Sequence, residues 1–62
     1  MNTLLINIGK ACKEYRTNVL HVTQTQVAKE TGYSIDNISK FELGKTNNLK
    51  IFWWYYIKGL RL

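Results

Sequence analysis

The segment at residues 23–45, TQTQVAKETGYSIDNISKFELGK, constrains the fold more than any other part of the chain. Thr23 and Gln26 fit a T-x-x-Q capping box, in which the threonine hydroxyl accepts from the Gln26 amide and the glutamine side chain reaches back. Gly32 can adopt the positive φ that ends a helix, and Ser34 is a favoured cap for the next one. The segment therefore predicts two short helices joined by a tight turn.

Apolar residues recur at helical spacing along the rest of the chain. The 62 residues suffice for a single domain, residues 1–62, with one small core. We find no strand pattern, internal repeat or low-complexity segment. We expect an all-α fold, a compact bundle of four or five helices, with a polar loop after the first helix. The predicted helices cover residues 3–16, 24–31, 35–43 and 49–59.

Apolar and glycine residues form a further pattern around the turn. They are Val27, Ala28, Gly32, Tyr33, Ile38 and Phe41. Together with IGKACKEYR at residues 8–16 and FELGKT at residues 41–46, they resemble the helix-turn-helix of the Xre family, which includes lambdoid phage repressor and Cro proteins. Two features depart from that family: the link between residues 16 and 23 is about one residue longer, and Thr31 occupies a position that is more often apolar. The resemblance implies a lambda-repressor-like DNA-binding domain.

The outward face of the third helix would then read base edges in the major groove of double-stranded DNA. The resemblance assigns base reading to Ile35, Asp36, Ser39 and Lys40, and Ser34 is a further candidate because it projects outward with them. Isoleucine methyls can contact a thymine methyl, a carboxylate can accept from a cytosine amino group, and a lysine can donate to guanine. Two alternatives stay open: Asp36 equally fits a helix-dipole role in the first turn, and Ile35 equally fits the edge of the core.

A second set of polar residues is expected to contact DNA phosphates. The set comprises Thr23, Gln24, Asn37, Lys45, Thr46, Asn47 and Asn48. The resemblance gives Gln24, at the start of the second helix, a phosphate bond and a bracing role beside the first recognition residue. The alternative for Gln24 is an exposed polar residue with no special role. Residues 45–48 lie just before the fourth helix, whose free amides can also hold a phosphate.

Three residues have expected structural roles. The resemblance pairs Arg16, late in the first helix, with Glu42, near the end of the third. Such a pair can fix the pose of the recognition helix, although a partly exposed ion pair adds only about 0–1 kcal/mol. Gly32 supplies the turn.

The aromatic run IFWWYYI at residues 51–57 carries more apolar side chains than one face of a helix can bury. We assign Phe52, Trp53, Tyr56 and Leu60 to the core. This leaves Ile51, Trp54 and Tyr55 on the surface, where we expect them to form a homodimer interface. The alternatives are aromatics lying over a thin core and contact with a different protein.

Charge and composition bear on partners and compartment. The net charge of +5 and pI near 9.6 favour a polyanionic partner, although an ordinary solvated surface would look similar. The single cysteine, Cys12, excludes an internal disulfide and fits a small buried apolar residue. No segment reads as a signal peptide or reaches the roughly 20 apolar residues of a membrane span. We expect a cytoplasmic protein without a membrane role.

These patterns predict a function and leave one alternative. We expect a sequence-specific transcriptional regulator, a phage or mobile-element repressor or Cro-like protein that binds a palindromic operator as a dimer. The alternative is a helix-turn-helix protein-interaction module, such as an anti-repressor or antitoxin-like adaptor, acting through Ile35, Asp36 and Leu43 or through the aromatic helix. Catalysis is not expected, because no carboxylate pair, nucleophile with its base or metal-ligand pattern occurs. No cofactor or metal is expected either.

Overall fold

A computed structural model describes residues 2–61, so Met1 and Leu62, the two ends of the predicted domain, lie outside it. Within that range the chain is all-helical and contains no strand. The helices are α1 (Thr3–Tyr15), α2 (Gln24–Thr31), α3 (Ile35–Glu42) and α4 (Leu49–Ile57). These bounds agree with the predicted helices to within two residues at each end. The all-α class and the four helices are confirmed.

Side-chain caps begin the two helices that flank the turn. The Thr23 hydroxyl accepts from the Gln26 amide at 3.2 Å, and Ser34 accepts from the Asn37 amide at 3.2 Å. Both caps were predicted from the sequence. The reciprocal half of the capping box was wrong, because the Gln26 side chain donates to Glu30 one turn further along α2.

The stretch after α1 corrects the predicted polar loop. Residues Arg16–Leu20 form a π-helical turn that continues α1, and it ends at His21, whose φ of 54° is left-handed. The i→i+5 bonds of a π-helix place about one residue more in each turn than an α-helix does. The turn thereby takes up residues that were expected in the loop.

The core lies where the four helices meet. Its buried apolar residues are Cys12, Val27, Ala28, Ile38, Phe41, Ile51, Trp54, Tyr55 and Leu60. The inward placement of Cys12, Val27, Ile38, Phe41 and Leu60 was predicted from helical spacing.

In the aromatic run the core placement of Phe52 was right, because it packs against the core, but Trp53 and Tyr56 were exchanged with Ile51, Trp54 and Tyr55. Ile51 and Tyr55 are fully buried and Trp54 is 6% exposed, whereas Trp53 is 58% exposed. Because α4 is apolar on all sides, hydrophobic spacing does not distinguish its faces. The polar ends of two aromatic side chains decide which face of α4 is buried. The Trp54 indole donates to Glu30 at 2.9 Å, and the Tyr55 hydroxyl donates to Glu42. The prediction of a dimer interface through Ile51, Trp54 and Tyr55 is therefore wrong.

A glycine lets α1 approach the end of α3 closely. Gly44 has φ +79° just after α3, and a Cβ built on it would lie 2.5 Å from Ile6 Cα. Gly32 has nearly the same φ, +80°, but a Cβ there would meet nothing within 4 Å. Substitutions at these two glycines therefore distinguish the cost of backbone strain, present at both, from the cost of steric contact, present only at Gly44.

We predict that Gly44→Ala destabilises the fold more than Gly32→Ala. Both changes force an L-residue into the left-handed region, at about 1–2 kcal/mol. Only Gly44→Ala also drives a methyl into the α1 backbone, adding about 1–3 kcal/mol. Thermal unfolding followed by far-UV circular dichroism compares the two. Equal losses would contradict the close approach of α1.

Candidate nucleic-acid interface

A buried ion pair lies behind the helix that carries the candidate base-reading residues. Glu42, the last residue of α3, is 4% exposed, and Arg16, the first residue of the π-helical turn, is 7% exposed. The guanidinium donates to both carboxylate oxygens, from Nε at 2.8 Å and from Nη2 at 3.1 Å. The pair has the geometry expected of it, but it is buried rather than partly exposed. Its loss would therefore leave an unpaired buried charge.

Two further side chains donate to the same carboxylate. The Gln24 amide, at the start of α2, donates to Glu42 Oε1 at 2.9 Å. The Tyr55 hydroxyl, on α4, donates to Glu42 Oε2. Arg16 also donates to the Val22 carbonyl at 2.9 Å, just before α2. Glu42 thus joins the π-helical turn, α2, α3 and α4, and we call these four side chains the Glu42 network.

Opposing influences act on the pKa of Glu42. Burial favours its neutral form, but hydrogen bonds from Arg16, Tyr55 and Gln24 outweigh burial and hold its pKa below the ordinary value. Burial and the adjacent carboxylate together raise the pKa of Tyr55, so its hydroxyl keeps its proton and donates. The network is therefore held as a carboxylate with three donors.

The face of α3 opposite the core carries the candidate base readers. Ser34, Asp36 and Lys40 are exposed, Ile35 is 47% exposed and Ser39 is half-buried. Lys40 Nζ lies 3.1 Å from Asp36 Oδ2, one turn earlier on the same helix. Asp36 therefore has a donor of its own on α3. Ile35 lies outside the buried core.

Three of the seven candidate phosphate-contacting side chains already make hydrogen bonds within the protein. Asn37, Lys45, Thr46 and Asn47 are exposed. Thr23, Gln24 and Asn48 already hold structural bonds: Thr23 caps α2, Gln24 donates to Glu42, and Asn48 accepts from the Lys50 amide at 3.0 Å. The expected bracing role of Gln24 is thus directed at Glu42 rather than at a recognition residue.

Sequence reasoning missed Tyr55 as a partner of Glu42. It treated Tyr55 as a surface aromatic, although a tyrosine hydroxyl within an apolar run requires a buried acceptor if the residue faces inward. The acidic residues that could accept were few: Glu14, Glu30, Asp36 and Glu42. With so few acids in the chain, the need of Tyr55 for an acceptor was the signal in the sequence that pointed to a partner such as Glu42.

The described residues offer neither a reactive thiol nor a metal-holding cluster. Cys12 is fully buried, and burial followed by the nearby Glu42 charge raises its pKa to about 12, so the thiol stays neutral. Across residues 2–61 no cluster of three or more histidine, cysteine or acidic side chains is placed to hold a metal. None of the helices described is both long and apolar enough to cross a membrane.

Comparison with known proteins found no match among family models, curated proteins or solved structures.

We predict that Tyr55→Phe lowers the free energy of unfolding by about 1.5–3 kcal/mol, because a hydrogen bond to a buried charge is lost. Tyr56→Phe is the matched control, since Tyr56 lies on the same helix and is 38% exposed. Its effect should stay within about 0.5 kcal/mol. Urea unfolding measures both. A loss in Tyr55→Phe no larger than in the control would show that the hydroxyl contributes nothing.

A pH dependence follows from the lowered pKa of Glu42. A carboxyl whose pKa is depressed by folding stabilises the fold fully above its unfolded pKa, about 4.3, and this contribution is lost as pH falls through the folded pKa. Tyr55→Phe removes one of the hydrogen bonds that lower the pKa, so the gap between the unfolded and folded pKa values narrows and the variant should lose less stability than the wild type as the pH falls below about 4.3. Urea unfolding of both proteins at a series of acidic pH values checks this. A stability difference between them that stays the same at every pH would contradict it.

Proposed function

We propose that this chain is a sequence-specific double-stranded DNA-binding transcriptional regulator, a repressor or Cro-like protein of a phage or other mobile element. The observation that carries the proposal is the exposed face of α3, held from behind by the Glu42 network. A helix that reads base edges in the major groove must present its side chains in a fixed pose. Glu42, at the end of that helix, is bonded from three other helical elements. The Xre-like residue pattern supports the same function.

The chemistry of this face suits base reading. Lys40 can donate to the O6 and N7 acceptors of guanine, and Asp36 can accept from the amino group of cytosine. The ion pair between them partly neutralises Asp36, which reduces its repulsion by phosphates. Exposed Ile35 offers methyl groups to a thymine methyl. The hydroxyls of Ser34 and Ser39 can donate to acceptors or accept from donors on a base edge.

Phosphate binding would supply most of the affinity. The net charge of +5 favours a polyanion, and exposed Lys45, Thr46 and Asn47 lie in the loop between α3 and α4. Exposed Asn37 lies on α3 itself. We propose that these residues position the helix while the α3 face specifies sequence.

Two copies would bind the two half-sites of a palindromic operator. Their contact would not involve Ile51, Trp54 and Tyr55, which are buried within one chain.

Exposed apolar side chains favour one alternative function. Leu43 is 53% exposed and Ile35 is 47% exposed, both at the ends of α3. A protein-interaction module of the anti-repressor or antitoxin-adaptor kind would use them, with Asp36, to contact another protein.

Selection of bound sites from random duplexes, followed by a salt titration on the selected site, separates the two functions. A DNA regulator that contacts several phosphates should show a selected motif with twofold symmetry, and log K should fall steeply and linearly with log salt. Absence of an enriched motif together with negligible duplex affinity at low salt would refute the DNA-binding proposal.

We predict that Lys40→Ala weakens binding to the selected site by about 1–3 kcal/mol and relaxes preference at one base position. Lys58→Ala is the matched control, because it removes the same charge from the residue that follows α4. It should lower affinity slightly and equally for all sequences. Binding measured across single-base variants of the site compares them. A uniform loss for Lys40→Ala would make that lysine a phosphate contact instead.

A further inference from the structure

The outward face of α4 carries a continuous apolar row that the core does not use. It consists of Leu49, Trp53, Tyr56 and Ile57, which we call the outer stripe; they are 77%, 58%, 38% and 58% exposed. Their spacing of i, i+4, i+7 and i+8 places them on one side of a helix. A contiguous exposed row of this kind marks a contact surface more often than a solvated one.

Grooves border the outer stripe on both sides. The larger one has a volume of about 200 Å³ and is lined by Glu30, Thr31, Lys50, Trp53, Trp54 and Ile57. The smaller one has a volume of about 120 Å³ and is lined by Leu5, Ile8, Phe41, Asn47, Leu49 and Phe52. Between them the rings of Trp53 and Tyr56 stack with centroids 5.3 Å apart. The surface is therefore a ridge between two side-chain-sized depressions.

Basic side chains outnumber acidic ones around this ridge. From residue 49 to residue 61 the chain contains Lys50, Lys58 and Arg61 and no acidic residue. The Arg61 guanidinium lies 4.2 Å from the centre of the Tyr56 ring, at the edge of the outer stripe. The one acidic residue that lines the larger groove is Glu30, and its carboxylate already has partners within the chain. Hydrogen bonds from Gln26 and Trp54 lower its pKa, and Lys58 Nζ lies 3.4 Å from it.

We propose that the outer stripe and its grooves bind an acidic amphipathic helix of another protein. Such a helix lays apolar side chains, spaced by three and four residues, into grooves of this size. Carboxylates at its edges would meet Lys50 on one side and Arg61 on the other, which sets orientation and accelerates association. The proposal goes beyond DNA binding and does not depend on it.

A second copy of the chain fits this surface less well. A twofold contact places the same patch of both copies face to face. It would bring Lys50 and Arg61 of the two copies together without an acid on α4 to pair with them, whereas Lys58 already pairs with Glu30. The like charges would oppose the contact. A lipid bilayer also fits less well, because a flat surface leaves both grooves unfilled.

The test uses the full chain and two designed peptides of about 16 residues, four helical turns. Both carry leucine at spacings of three and four; one has glutamate on its flanks and the other lysine. Fluorescence anisotropy measures binding of each labelled peptide. We expect the acidic peptide to bind at least about tenfold more tightly, with a preference that weakens at high salt. Equal affinity for the two peptides, or no binding of either, overturns the proposal.

Matched variants locate the site. Trp53→Ser should weaken binding of the acidic peptide at least about tenfold, as expected for a central aromatic. Val19→Ser is the control, because Val19 is similarly exposed, 57%, but lies on the π-helical turn. Lys50→Glu should reduce the preference for the acidic peptide at least severalfold, because one of the cations that its carboxylates meet is reversed. Circular dichroism verifies that each variant is folded. If Trp53→Ser and Val19→Ser weaken binding equally, the outer stripe is not the site.

Two further measurements cover the other occupants. Sedimentation equilibrium of the free protein should show a monomer; a dimer that Trp53→Ser dissociates would assign the surface to a second copy and overturn the proposal. Vesicles of phosphatidylcholine with about one-third phosphatidylserine should bind more weakly than the acidic peptide. Tighter binding to the vesicles, lost in Trp53→Ser, would assign the surface to a membrane instead.

Discussion

The buried carboxylate of Glu42 is the interaction on which the rest of this small structure depends. A charge this deep is tolerated only because Arg16, Gln24 and Tyr55 all donate to it. In 62 residues the apolar core alone supplies little stability, so a polar centre that joins four helical elements also fixes their arrangement. Among the described residues, no buried side-chain nitrogen or oxygen lacks a hydrogen-bond partner. The polar centre is therefore fully satisfied, as a buried network must be.

This arrangement separates support from contact along α3. Ile38, Phe41 and Glu42 face inward and set the pose of the helix, while Ile35, Asp36 and Lys40 remain outside it. The proposed DNA-reading role therefore rests on residues that contribute little to folding, and they are free to vary with the operator. The outer stripe of α4 has the same property: its side chains are exposed, while Tyr55 and Trp54 on the opposite face anchor the helix.

The sequence predicted the parts of the fold that local rules determine. Caps at Thr23 and Ser34 and the positive φ of Gly32 depend on a few neighbouring residues, and all three are present. The faces of α4 depend on long-range partners, because apolar spacing is uninformative in a helix that is apolar all round; Tyr55 and Trp54 face inward to reach acids on α3 and α2. The π-helical turn begins at Arg16, whose guanidinium bonds Glu42 on α3, and that partner is distant in the sequence. For the candidate site, outward placement on α3 was predictable, and so was the cap at Asn48, whose partners are the amides of Lys50 and Ile51. The bond from Gln24 to Glu42 was not, since that partner lies on another helix.

The most direct test of the central position of Glu42 is a double-mutant cycle with Arg16→Met and Glu42→Gln, measured by urea unfolding. Each single change leaves a buried polar group without its charge partner, and the double change removes both charges. If the pair is a central support, the double variant should lose less stability than the sum of the two single losses, by about 1–3 kcal/mol. Losses that add to within about 0.5 kcal/mol would show that the two side chains act independently and would contradict the account.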